Sequence, residues 1–208
     1  MALLTAGKTW GQYQLATGEV INVQDISEQV YYDSDIIAAI PGQTDYVLCR
    51  NANFSTGALK TPGLDYNLPE WGRVPKDWYY EIIVAGFHVQ AGIPGGDVQS
   101  MVNNGYMRFI TGSQKTEQDG LLMFYPFGVG VGGSIALDGG GVANEVSGLN
   151  IGSPAAASIL PRRFNIGLPE QTTFECHVTF PGAGVAALFS AALHLYFDMR
   201  VIRFRPVV

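Results

Sequence analysis

Charge is what this sequence has least of. Asp, Glu, Lys and Arg make up 14% of its 208 residues, where a soluble domain carries about 25%. Gly, Ser, Thr, Asn and Gln must then clothe the surface, and much of that surface is expected to be covered by other subunits. Twelve basic residues against 18 acidic ones leave a net charge of −6. That excludes an overall pull toward nucleic acid or an anionic membrane, so any polyanion contact needs a local patch. Cysteine is scarce too. Cys49 and Cys176 lie far apart, each in an expected strand, and read as buried free thiols of a chain made in the cytosol. The stretch from Met1 to Trp10 has no charged segment followed by an apolar core, so no secretory signal is expected, and no transmembrane segment is expected either. Without secretion the glycosylation triplet Asn53-Phe-Ser55 carries no meaning.

Helical periodicity is nearly absent as well. Strand-like runs are expected near Leu15–Val20, Ser27–Tyr32, Tyr46–Arg50, Trp78–Val89, Gly105–Thr111, Leu121–Phe127, Arg162–Ile166, Phe174–Phe180 and Leu193–Phe204. Only Gly184 to Ala192 reads as a short helix, so helix should make up less than about 15% of residues, well below the usual third. The 26 glycines and 11 prolines fall largely between the runs, at Pro41-Gly, Pro62-Gly, Pro94-Gly-Gly and Pro181-Gly, where turns need special backbone angles. The expectation is an all-β antiparallel sandwich in one domain, residues 1–208. The Gly-, Ala- and Ser-rich connection from Gly128 to Leu160 is expected to be a surface excursion that carries contacts.

Catalytic motifs are missing. Gly128-Val-Gly130-Val-Gly-Gly133 has dinucleotide-loop spacing, but no helix follows it: Ser134-Ile-Ala-Leu-Asp runs straight into three more glycines. Gly7-Lys8-Thr9 resembles the end of a phosphate loop, yet Ala2 stands where the first glycine is required. His88, His177 and His194 are the only histidines, and no two have metal-ligand spacing. His177 and His194 share the polar parity of expected neighbouring strands, so they could meet across a sheet face, but a third ligand is lacking. No G-x-S-x-G elbow is present, and Cys176 on an apolar parity reads as inert. No enzyme activity, cofactor or metal is expected.

What is present is alternation. Phe174-Glu-Cys-His-Val-Thr-Phe180 sends Phe174, Cys176, Val178 and Phe180 to one side. Leu193 to Val201 sets Leu193, Leu195, Phe197, Met199 and Val201 on a core face and His194, Tyr196, Asp198 and Arg200 on the other. His194, Tyr196 and Arg200, with Arg203 and Arg205 beyond, are the candidate assembly contacts. Arg162, Arg163, Arg200, Arg203 and Arg205 form the one basic cluster, suited to intersubunit or structural ion pairs more than to packaged nucleic acid. Trp71, Trp78 and Tyr79 suggest a different use, as an aromatic platform for a sugar; the competing reading has Trp78 and Tyr80 cap the sandwich core and Trp71 pack under the loop.

The order of these features resembles that of single jelly-roll capsid proteins of bacteriophages. A prolyl turn leads into a strand (Ile40-Pro-Gly-Gln-Thr-Asp-Tyr46), a Leu-Pro segment runs into a long strand (Asn67-Leu-Pro69 through Phe87), and a Gly-led strand follows (Gly105-Tyr-Met-Arg-Phe-Ile110). Then come Phe124-Tyr-Pro-Phe-Gly128, a Leu-Pro-Glu-Gln turn at Leu168 into the strand ending at Phe180, and the closing Arg203-Phe-Arg-Pro206. The resemblance implies an eight-stranded jelly roll. It also implies a capsid subunit that self-assembles in many copies with other virion proteins, built in the host cytoplasm and located in the virion. The rivals are a carbohydrate-binding fibre or lectin-like sandwich and, with no His-x-His pair to support it, a small cupin-like enzyme.

Overall fold

The computed structural model describes residues 11–15, 18–37, 44–89, 95–112, 115–122, 166–180, 189–190 and 192–206. Among the described residues nine strands and one helix follow in order. They are β1 (Gly11–Gln14), β2 (Val20–Ile37), β3 (Asp45–Leu48), β4 (Tyr79–Val89), α1 (Gly95–Asn104), β5 (Tyr106–Thr111), β6 (Lys115–Leu121), β7 (Ile166–Leu168), β8 (Phe174–Thr179) and β9 (Leu193–Pro206). They form two antiparallel sheets, β1-β2-β9-β4-β7 and β3-β8-β5-β6, and so a β-sandwich. The pairings are nested: β2 with β9, β3 with β8, β4 with β7, and β5 with β6. No helix among the described residues is long and apolar enough to cross a membrane.

Alternation builds the core between the sheets. Leu193, Leu195, Phe197, Met199 and Val201 are all buried on one face of β9, and each such side chain contributes about 1.5–3 kcal/mol. Phe197 joins the layers, with its ring 5.2 Å from Phe87 in its own sheet and 6.1 Å from Phe109 in the opposite one. Beyond Val201 the pattern changes. Ile202 and Phe204 are buried on the outward face, where the β1–β2 hairpin lays Val23, Tyr13 and Ile21 over them as a second, smaller core.

Several strands differ from expectation. Of the expected strand Leu15–Val20, the described residues Leu15, Gly18 and Glu19 are not strand: the Leu15 N–H donates to the Glu19 carbonyl at 2.8 Å, and Gly18 has a φ of 90° that glycine adopts without strain. The strands flank these residues. β2 runs on from the expected Tyr32 to Ile37. β6 spans Lys115–Leu121 and ends where Leu121–Phe127 was expected to begin, because this edge strand is polar on both faces and offers no apolar alternation to read. Residues 123–127, Arg162, Arg163 and the Gly128–Leu160 excursion lie outside the described residues. Helix α1 was not expected, since Gly95-Gly96 reads as a turn. Its Met101 is buried and its Asp97 accepts the Ser190 N–H at 3.1 Å and the Ser190 hydroxyl at 2.7 Å, so tertiary contacts offset weak helix propensity. Of the expected helix from Gly184 to Ala192, the described residues Phe189, Ser190 and Ala192 are not helical.

Candidate functional site

The outward face of β9 carries a column of rings. Tyr196 lies between His88 of β4 and His194, with centroids 4.5 Å away on each side, and Phe54 meets the far side of His194 edge-on at 5.4 Å. His88 Nδ1 is 3.2 Å from the Asp198 carboxylate at the other end. The register explains the column, because His88 is directly opposite Tyr196 and Tyr196 and His194 are two residues apart on one face.

At its inner end the Ser34 hydroxyl donates to the Asp65 carbonyl at 2.9 Å, so His194 Nε2, 2.9 Å from Ser34 Oγ, must be the donor to it. Nδ1 is left to accept from Tyr196, and burial holds the imidazole pKa below its usual value. The Asp65 carboxylate approaches the same Nε2 at 3.7 Å. A Ser-His-Asp relay sets the serine and the carboxylate on different ring nitrogens, whereas Ser34 and Asp65 both face Nε2 here.

The expected meeting of His177 and His194 does not occur. β8 and β9 belong to opposite sheets, so their polar faces look out on opposite sides of the sandwich. His177 instead bridges two carboxylates, with Nδ1 2.9 Å from Asp45 and Nε2 2.9 Å from Glu175. The hydrogen bond to Asp45 is the main reason its pKa is raised, and the same bond holds Asp45 below the usual carboxylate range. A histidine raised in the folded state adds stability that is complete below about pH 6.5, its unfolded value, and is lost as pH climbs through the folded value. His177→Gln should therefore lower the melting temperature most near pH 5–6 and progressively less as pH rises above about 6.5; thermal melts across that range, with a pH-independent difference as the contrary result, check it. No group of three His, Cys, Asp or Glu suited to a metal occurs among the described residues.

The described arginines of the expected basic cluster, Arg200, Arg203 and Arg205, are engaged within the chain. Arg200 pairs with Glu28, and Arg205 is 3.8 Å from Asp25. Arg203 donates to Ser27 at 2.9 Å and to Tyr31 at 3.1 Å. Arg203 and Arg205 both stack on Trp78, at 4.7 and 4.5 Å.

The expected aromatic trio is divided. Trp78 packs against the inter-sheet core, whereas Tyr79, the next residue, packs against the outer cluster, stacked on Phe204 at 4.7 Å. Trp71 packs against the inter-sheet core too, but under the 49–74 loop, 4.1 Å from Tyr66 and beside Lys60. It lines a cleft of about 300 Å³ with Arg50, Ile110, Thr173 and Glu175. Gly72 shapes that cleft: at a φ of 50° any Cβ there would lie 2.6 Å from the Cys49 carbonyl oxygen.

Sequence reasoning missed a buried polar chamber under the 49–74 loop. Asp33 and Asp35 of β2 face the core side, and both are buried, as is Lys60. Lys60 Nζ is 2.8 and 2.9 Å from the two Asp33 oxygens and has the Phe54 and Trp71 rings 5.7 and 5.5 Å away. Asp33 also accepts the Cys49 N–H at 2.6 Å. Asp35 accepts the N–H and the hydroxyl of Ser55, tying the loop down. Burial raises the pKa of both aspartates and lifts those of Cys49 and Cys176, which are free, far above the reactive range. The available signal was the Tyr31, Asp33, Asp35, Ile37 alternation, which continues the β2 core face. Compared with family models, curated proteins and solved structures, the chain matches none.

Proposed function

We propose that this chain is a viral structural protein, a phage capsid subunit folded as a jelly roll. The observation that carries the reading is the strand order. Counted from β2, the strands pair first with eighth, second with seventh, third with sixth and fourth with fifth. A single antiparallel ribbon rolled over on itself gives this nesting, and capsid and lectin domains share such a double-sheet architecture. β1 is an addition at one edge. Low charge favours the capsid, since a surface of this composition gains from being covered by copies of itself. The split of Trp71, Trp78 and Tyr79 between two cores and a cleft disfavours a sugar platform, which needs rings on one face.

Light scattering and negative-stain electron microscopy of the purified protein test the proposal. Closed particles of many copies are expected, and a monodisperse monomer at virion-like concentration overturns it. The outward face of β9 is the expected contact. Tyr196→Ala with Arg200→Glu should leave a folded subunit that no longer forms particles. Losing the two ring stacks costs about 0.5–1.5 kcal/mol per pair, the exposed Arg200 pair contributes little to the fold, and a reversed charge at a covered contact is costly. Sedimentation beside a thermal melt reads both quantities. Wild-type assembly by the double variant moves the interface off this face.

A further inference from the structure

The Lys60–Asp33 contact has more than a structural use. We propose that Lys60 and Asp33 join covalently, in an uncatalysed intramolecular condensation that ties the 49–74 loop to β2 through an isopeptide bond. This goes beyond the assembly reading and does not depend on it, because the chamber lies inside one subunit.

Geometry, surroundings and the cost of the alternative all favour the reaction. Nζ is nearly equidistant from both carboxylate oxygens, at 2.8 and 2.9 Å. Cγ, bonded to both, is therefore about 3 Å from the nitrogen, the separation a near-attack pair needs, and attack then requires only that the amine approach across the plane of the carboxyl group. The side chains of Lys60 and Asp33 are 1% and 0% exposed, so the leaving water has no bulk solvent to return from. The ion pair is itself costly there, because two desolvated charges are only partly repaid by their attraction. A neutral amide removes that cost.

The step balances without a co-reactant. The Lys60 ammonium passes one proton to Asp33 Oδ1, leaving a neutral amine and a carboxylic acid. The Nζ lone pair then forms a bond to Cγ, and the charge that develops on Oδ2 meets the Cys49 N–H already 2.6 Å away, placed as an oxyanion donor is. A second proton moves from Nζ to Oδ1, the Cγ–Oδ1 bond breaks, and one water departs. Oδ2 remains as the amide carbonyl. Asp35 acts as a positioning residue, since its bonds to Ser55 hold the segment that carries Lys60 against β2.

Intact-mass measurement and tryptic mapping of the folded wild-type protein test this. The expected mass is one water below that of the linear chain. Trypsin should fail to cut after Lys60 and should release a branched peptide in which residues 9–50 are joined to residues 51–73. Asp33→Asn should give the same branch with loss of ammonia in place of water, and Lys60→Met should keep the linear mass. Cleavage after Lys60 with only linear peptides, after prolonged incubation of folded protein, overturns the proposal. Loss of water without the branch also overturns it, since a cyclised Asp33 would give that. The wild-type map decides even if a variant fails to fold.

Discussion

Lys60→Met should destabilise the subunit by about 3–5 kcal/mol, the usual result of removing one partner from a buried pair. Whether the pair stands as ions or as an amide, the substitution leaves a free Asp33 carboxyl that is 0% exposed and has lost the cation that acts on it among the described residues. The effect carries a pH signature. Burial already raises Asp33 above the usual carboxylate value, while Lys60 pulls it down; without Lys60 it rises further. The folded variant then holds a proton that the unfolded chain, with its carboxyl near pKa 3.9, has released. Stability of the variant falls as pH climbs from about 4 through the raised folded value and recovers on acidification. Chemical denaturation at pH 7 and at pH 4.5 should show the deficit shrinking at the lower pH. Adding Asp33→Asn to Lys60→Met should restore part of the loss at neutral pH, because the amide oxygen still accepts the Cys49 N–H and brings no charge. An equal deficit at both pH values, or no gain from Asn, would mean that Lys60 acts through packing alone.

Leu195→Asp should give no folded subunit at neutral pH. Leu195 is 0% exposed, and removing a buried leucine side chain costs about 2–5 kcal/mol before any charge is counted. Its cross-strand neighbours make the site worse for an acid: Asp35 stands directly opposite on β2 and Val89 directly opposite on β4. The new carboxylate would face a buried aspartate with nothing apolar to gain, and like charges directly opposite are destabilising. Together these terms consume most of the roughly 5–15 kcal/mol that holds a domain folded. Leu195→Met, which conserves volume, should cost less than about 1.5 kcal/mol. Far-UV circular dichroism and solubility of the two variants check this, and a cooperative native melt from Leu195→Asp would contradict it.

The residues that were legible are those whose neighbours decide their fate. β8 and β9 alternate cleanly because one face meets the core and the other does not, so period two is written directly into them. β4 was legible for a related reason, its long apolar run bounded by Trp78 and the turn residues after Val89. β6 was not, because an edge strand of Lys, Thr, Glu, Gln and Asp has no buried side to mark. The carboxylate chamber was hidden by the same rule that revealed the strands. Aspartate is uncommon in strands, so Asp33-Ser34-Asp35 reads as the end of β2, when the strand continues and its acids turn inward to a lysine 27 positions away. Which strands share a sheet was illegible as well. That left the two outward histidines His177 and His194 expected on one surface, when they lie on opposite ones, and left the contact of Tyr196 with His88 unforeseen.

The nested pairing also sets an order of events during synthesis. Ile37 pairs with Leu193 and Val23 with Pro206, so the longest ladder of the sandwich joins segments well over a hundred residues apart. β2 leaves the ribosome early and, beyond the Val20–Val23 segment that pairs with β1, has no strand partner until β9 follows it. At about 5–20 residues per second that wait lasts roughly ten to thirty seconds, during which most of an 18-residue strand is available to any other edge that meets it. Closing such a distant contact is also slow once the chain is free, as it is for β-sandwiches in general. Yield of native subunit should then respond more to the concentration of nascent chains than to the stability of the finished fold. Slower expression at lower temperature, or a chaperone that shields β2, would raise it.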